Sequence, residues 1–410
     1  MSDYKVFLVS AFACHPEMSS EAGIGWQFLL EICEYAAEND AQVIAFMNRR
    51  SAAATSVALE ERGITCAKLV GIDPPRSLGF LLDPRLTRLE YLAWFIAVRS
   101  AIKRLVSQGS RFSVAWHVTF ASELLPVPFA NLDLGRGFKV WGPVGSSGDW
   151  RVFLLKPREG RWLVDAMLQW CRNQVSVAIA RRTAREMDLV LTQSPQLKLA
   201  LGERAQVFPN LVIPADLLPR GTPSTEPKSK GISILAAGHL VPRKRFALLL
   251  GALASPELKD ASLTIAGAPL PGTSAYLPSL AETLGVRGRV NFLGKVNRKK
   301  LLELMSEHDV FAHCAAREGA PGVVGEAATV GIPIVTFNLT GAAAVLRASG
   351  GHGIEVDSRN FDIHRLSSAL VAAAGMGRNS APPVWDQDRI RTKVEFVVSG
   401  RGDAEASDLA

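Results

Sequence analysis

The chain is read as an α/β protein made of two doubly wound, Rossmann-like domains that face each other across a cleft. Three observations predict this. The 410 residues exceed what one ordinary core organises. Apolar runs of strand length alternate with amphipathic helical segments in both halves, the pattern of parallel βα units. Between the halves, LLPRGTPSTEPKSKG (217–231) mixes Pro, Gly, Ser and Thr with charge and has no periodicity, as a linker does.

Taken in order, KVFLVSAFAC (5–14) is a continuous apolar run with aromatic and β-branched residues, hence a buried strand. IGWQFLLEICEYAAE (24–38) has helical spacing and AQVIAFM (41–47) is a second strand; the short connections imply parallel pairing. RFSVAWHVTF (111–120), FKVWGPVG (138–145), MDLVLTQS (187–194) and AQVFPN (205–210) extend the sheet, with long helical stretches at 76–107 and 156–186. The second half repeats the scheme: ISILAAG, a helix at 245–254, SLTIAG, a helix at 276–285, RVNFLG, a helix at 298–306, VFAHC, a helix holding Glu326, and IPIVTF. VWDQDRIRTKVEFVV predicts a last helix. The expected division is 1–216, a linker at 217–230, 231–375, a C-terminal helical segment at 376–398 and a polar tail at 399–410.

Composition narrows the function. A chain that is 48% hydrophobic is globular rather than disordered. The net charge of +7 suits anionic small molecules or an anionic membrane surface and is too diffuse for nucleic acid. Residues 156–185 concentrate basic charge, with seven Lys or Arg against two acidic residues on an aromatic-bearing helix, a composition that fits peripheral contact with anionic lipid. The five cysteines are scattered without CxxC spacing, so neither a disulfide framework nor a zinc knuckle is expected. No His pair sits at i, i+4 beside a carboxylate, and no metal site is expected. The N-terminus runs straight into a strand, and no apolar run nears the roughly 18 residues of a membrane span. The expected location is the cytoplasm, with the inner face of the membrane as its margin.

Chemistry concentrates in REGAPGVVGEAATVGIPI (317–334). Pro321 can open a helix and Gly331 can close it. Glu318 then stands in the loop at the helix start, where free backbone N–H groups and the positive end of the dipole point, and Glu326 lies inside the helix. Carboxylates accept paired hydrogen bonds, which suits vicinal sugar or ribose hydroxyls. In AAGHLVPRKRFALLL (236–250), Arg243, Lys244 and Arg245 crowd another helix start, an arrangement that an anion such as phosphate would relieve. SSEAGIGWQF (19–28) places Gly23 and Gly25 just before a helix, where backbone can approach a phosphate closely. It fails as a dinucleotide fingerprint, because Phe28 holds the third glycine position and a long loop precedes it. His313 and Cys314, adjacent on a strand, point to opposite faces and make a poor nucleophilic pair.

At these residues the sequence resembles the retaining glycosyltransferases of family four, which have the two-domain glycosyltransferase B fold. Their Glu–seven residues–Glu signature is matched by Glu318 and Glu326. Their Arg/Lys pair after a glycine is matched at Lys244, with His239 standing where the family has Arg. SLTIAG, RVNFLG and VNRKKLLELMSEHDVFAH match the intervening pattern. SEAGIGW, WHVTF and WGPVG are similar to a bacterial subgroup, and VWDQDRI resembles its crossover helix, which packs back on the first domain. NLTGAA (338–343) lacks the paired glycines common after this strand.

The resemblance implies roles. Glu326 would bind ribose hydroxyls. Glu318 would hold the donor sugar, with the backbone from Gly319 through Gly322 to Val323 assisting. Lys244, with Arg243 or His239, would neutralise the departing diphosphate. Gly23 and Gly25 would face that diphosphate, and His117 would contact the donor sugar. The partners implied are a nucleotide-sugar donor and a glycan, glycolipid or lipid-linked acceptor, with no resident cofactor. A nucleotide-sugar epimerase of the same fold, acting without acceptor, and a non-catalytic nucleotide-sugar-binding partner are the alternatives. NADP-dependent reduction would need a phosphate loop directly after the first strand, which is absent.

Overall fold

The structure is a computed structural model and describes residues 5–399, except 19, 146–147, 214–230, 270–275, 382 and 384. The linker expected at 217–230 therefore lies outside the described residues, as does the tail beyond 399.

Two parallel sheets form the molecule. The first has seven strands in the order β3-β2-β1-β4-β5-β6-β7, with β1 Val6–Ala11, β2 Gln42–Met47, β3 Ala67–Gly71, β4 Val114–Thr119, β5 Phe138–Val144, β6 Leu189–Thr192 and β7 Ala205–Val207. The second has six in the order β10-β9-β8-β11-β12-β13, with β8 Ser233–Ala237, β9 Ser262–Ala266, β10 Val290–Gly294, β11 Val310–His313, β12 Ile334–Phe337 and β13 Gly353–Val356. Every residue of β4 and β11 is buried, which is why these strands read as mostly apolar runs without alternation. The strands β3 and β13 escape the sequence reading. AKLVG and GIEV are short and only partly buried, so they carry neither a long apolar run nor a clean alternation.

In each sheet the strand order reverses direction at one place, between β1 and β4 in the first and between β8 and β11 in the second. Loops leaving the carboxyl ends on either side of such a point diverge and open a crevice. The loop after β8 and the loop after β11 meet at the second of these places.

The chain crosses between domains more than once. Val152 and Phe153 pack into the core of the second sheet together with Phe246, Leu249 and Leu370. Residues 152–159 thus lie against the second domain by packing, although their sequence position is in the first half. Near the C-terminus, the Ile213 N–H donates to the Trp385 carbonyl at 2.7 Å, pairing the outgoing and returning segments. Trp385 is buried against Leu211 and Ile213, with the Arg389 guanidinium 3.8 Å from its ring centre. The helix Asp388–Val398 then lays Ile390, Val394 and Val397 on the helix Ser20–Glu38, and Arg391 pairs with Glu38 and Glu395.

Candidate functional site

Glu318 is the centre of the second-domain wall. Its side chain accepts from Arg243 Nη1 at 2.7 Å and from Lys244 Nζ at 2.6 Å. His313 Nε2 lies 3.7 Å from the same carboxylate and 3.5 Å from Lys244 Nζ. The neighbouring strands β8 and β11 explain this convergence. Lys244 ends the short 3-10 turn Pro242–Lys244 after β8, while His313 closes β11 and Glu318 follows it. Gly238 has φ +138°, and a Cβ there would stand 3.0 Å from Lys244 Cε. Only glycine lets the lysine stem lie across that turn.

Burial would raise the Glu318 carboxyl, but contact with His313 and the charge of Lys244 outweigh it and hold the group well below the ordinary carboxylate range. Burial lowers His313, and Lys244 pushes the same way, while contact with Glu318 pulls it back up. Its Nδ1 is buried without a hydrogen-bond partner. The wall is thus a permanently ionised carboxylate with two cations fixed on it.

Pro321 caps the helix Gly322–Val330, and Gly331 closes it at φ +77°. Gly322 is exposed and Val323 half-buried at its first two positions, where amides lack intrahelical acceptors. The loop ahead of it is packed tightly. A Cβ on Gly319 would fall 2.0 Å from Gln193 Oε1, which also accepts from the Ala320 N–H at 3.2 Å. A Cβ on Gly341 would fall 1.6 Å from the Gly319 carbonyl oxygen, so this single glycine supplies the close approach in NLTGAA. Glu326, inside the helix, accepts from Arg298 Nε at 2.7 Å. Burial raises its carboxyl above the usual value while Arg298 pulls it back.

A cavity of about 310 Å³ separates this wall from the first domain, lined by Ser122, Glu123, Gly145, Arg172 and Gln193 on one side and Arg243, Arg317, Glu318 and Gly319 on the other. Arg172, Gln193, His313, Arg317 and Arg298 are the residues that sequence reasoning missed. Arg172 and Gln193 come from the first half of the chain and Arg298, His313 and Arg317 from the stretch around Glu318, and no spacing rule links the two groups.

Three expectations are corrected. Arg245 does not await a phosphate. It is fully buried, donates to the carbonyls of Val152, Leu155 and Pro157, and lies 3.6 Å from Glu159. The Glu159 carboxylate also accepts from the Ala247 N–H at 2.7 Å, so the anion relieving this helix start is the protein's own. His117 is not brought to the cleft. It is register partner to Ser10, fully buried, with Nδ1 2.9 Å from Ser10 Oγ and Nε2 3.2 Å from Tyr91 Oη. Tyr91 donates to the Pro126 carbonyl at 2.6 Å, so it accepts from His117 Nε2–H, and both ring nitrogens are occupied. Burial pushes the imidazole from its ordinary 6.5 down to about 3. Gly23 and Gly25 lie inside the helix Ser20–Glu38 rather than before it. A Cβ on Gly25 would stand 2.2 Å from the Ala13 carbonyl oxygen and 2.7 Å from Thr119, so close packing of the helix on the β1 and β4 loops demands glycine. His239 is exposed in the turn after β8. Among the described residues, no group of three or more His, Cys, Asp or Glu is arranged to hold a metal ion.

Two Rossmann-like domains with a cationic, carboxylate-centred crevice at the switch point between β8 and β11 define the glycosyltransferase B fold. Residues 222–370 match the family model described as glycosyl transferases group 1. Solved structures with the same fold include sucrose-phosphate synthase (tll1590) from Thermosynechococcus elongatus, at TM-score 0.54 and 13% identity over 96% of this chain and 95% of that one. A glycosyltransferase from Rickettsia africae ESF-5 follows at TM-score 0.51 and 11% identity over 97% and 100%. The apo form of the lipopolysaccharide outer core galactosyltransferase WaaB gives 0.50 and 14% over 96% and 95%. At these identities the likeness establishes the fold. No curated protein matches the chain.

Proposed function

We propose that the protein is a retaining glycosyltransferase that moves a sugar from a nucleoside-diphosphate sugar to a glycan, glycolipid or lipid-linked acceptor. The carrying observation is Glu318 held by Arg243 and Lys244 within one hydrogen-bond length, beside the open start of the helix Gly322–Val330. A donor entering the crevice would place its diphosphate against the two cations and the first amides of that helix, with sugar hydroxyls on Glu318 and ribose hydroxyls on Glu326. The glycosyl–phosphate bond breaks with its electron pair going to the diphosphate oxygen. The acceptor oxygen forms the new bond on the same face, and its proton passes to the departing phosphate. Lys244 and Arg243 stabilise the charge that develops, so the reading needs no enzymic nucleophile and no resident cofactor. His117 stays outside this machinery, since Ser10 and Tyr91 close both its nitrogens.

A lipid-linked acceptor is favoured by the helix Trp162–Ala184, which is built inside out. Its buried face carries Gln169, Asn173 and Ser176, with Asn173 Nδ2 donating to the Gly148 carbonyl at 2.8 Å. Its outer face carries Leu163, Met167, Leu168, Trp170 and Val175, each between 46% and 60% exposed. Exposed apolar side chains on a helix that has Arg161 at its start and Arg181 and Arg182 in its last turn suit the interface of an anionic bilayer. Among the described residues, no helix is long and apolar enough to cross a membrane, so the contact proposed is peripheral.

Calorimetric titration with UDP, GDP, ADP and dTDP, repeated on Lys244→Ala, tests the donor site. Selective binding of one nucleotide that the variant loses supports it, and silence from all four contradicts it.

A further inference from the structure

The crevice holds two cationic groups, one on each wall, that the donor reading does not use. Arg172 projects from the helix Trp162–Ala184 into the cavity, and its Nε is buried without a hydrogen-bond partner. Arg317 lines the same cavity. Its Nη1 lies 3.5 Å from Gln169 Oε1, on the helix that carries Arg172. Burial lowers Arg317, and the charges of Arg172 and Arg243 lower it further, so these guanidinium groups repel one another across the space. The cavity lining sums to three guanidinium groups against the two carboxylates of Glu123 and Glu318, and Glu318 already carries Arg243 and Lys244.

Like charges gathered in a partly desolvated cavity are costly unless an anion joins them. We infer that Arg172 and Arg317 form an acceptor-side oxyanion site that takes a phosphate ester carried by the acceptor. Two guanidinium forks from opposite domains can each grip one phosphate edge, and domain closure then completes the site. The placement favours a lipid-linked phosphate. On the helix that carries Arg172, Leu168 and Trp170 are exposed, so a chain anchored in a bilayer would meet these apolar side chains while its phosphate reaches the cavity. The inference rests on the glycosyltransferase reading for the word acceptor, and on the cavity alone for the oxyanion site.

The test is calorimetry on the full chain with octyl phosphate, glucose 1-phosphate and uncharged octyl glucoside, in parallel with the nucleoside diphosphates. Octyl phosphate is expected to bind the parent and to weaken at least about tenfold in Arg172→Gln and in Arg317→Gln, with Arg172→Lys retaining part. Lys244→Ala should leave octyl phosphate within about twofold while losing the nucleotide, and Arg172→Gln should do the reverse. Tighter octyl phosphate than glucose 1-phosphate identifies a lipid-linked source, and equal binding identifies a soluble sugar phosphate. Octyl phosphate binding no better than octyl glucoside overturns the site. Its joint loss with the nucleotide in Lys244→Ala also overturns it, because the anion then sits in the donor position. Nucleotide silence with Arg172-dependent phosphate binding intact sinks the donor reading and the acceptor role together, and leaves the oxyanion site standing. Unfolding midpoints of the variants confirm that they fold.

Discussion

On the second-domain wall, Lys244 and Glu318 come from turns that leave adjacent strands and lock on each other at 2.6 Å. On the first-domain wall, Arg172 and Gln193 reach the same cavity from a helix and from the loop after β6, and Arg172 keeps a buried nitrogen without a partner. On the second-domain wall the carboxylate and its cations are paired with each other, whereas Arg172 on the first-domain wall has a buried donor without a partner. Electrostatic preorganisation of this kind aids a reaction on the first type of wall, because the charges need not rearrange. The second type selects among ligands by what it leaves unpaired.

Substitutions can break this contrast. The largest effect is expected beside the cleft rather than in it. Arg245→Met leaves the buried Glu159 without its cation and should cost about 3–5 kcal/mol of stability by denaturant unfolding. A loss under about 1 kcal/mol would show that Arg245 does not hold the 152–159 segment on the second domain. Next is Glu318→Gln, which should lower kcat/KM about 10²–10³-fold, since it removes the charge on which Arg243 and Lys244 are arranged. Near-normal transfer would remove Glu318 from the machinery.

His117 sharpens the comparison on the first domain. Its folded-state value lies near 3 against an ordinary 6.5, so the unfolded chain binds the extra proton between these values. Its contribution is full above about pH 6.5 and is lost as pH falls toward 3. Stability of His117→Asn should therefore fall less steeply than the parent over that window. Parallel acid limbs would contradict the buried neutral assignment. The smallest effect on folding is expected from Leu168→Asp, within about 0.5 kcal/mol of the parent because the side chain faces outward. Co-sedimentation with phosphatidylglycerol vesicles should nonetheless drop in that variant, and unchanged sedimentation would count against the lipid-facing helix.

Much of the fold was legible because buried parallel strands are apolar on both faces, and β1, β4, β8 and β11 carry that pattern in the sequence itself. Pro321 and Gly331 bounded their helix because fixed φ and tolerance of positive φ are local properties. The Glu318–Lys244 partnership was legible only through the family resemblance, since the residues stand 74 positions apart. Arg245 was misread for a related reason. Three consecutive cations look alike in sequence, but the left-handed backbone at φ +55° turns Arg245 inward to Glu159 while Arg243 and Lys244 face the crevice.

The sequence by itself determined the two-domain α/β architecture, the helix boundaries around Glu318 and the cationic character of the turn after β8, because each depends on neighbours within a few residues. Tertiary structure alone decided which histidine is buried, which cation meets Glu318, and that the helix Trp162–Ala184 turns its amides inward and its leucines outward. Those outcomes depend on burial and on which strands lie side by side, and neither quantity is written in local spacing.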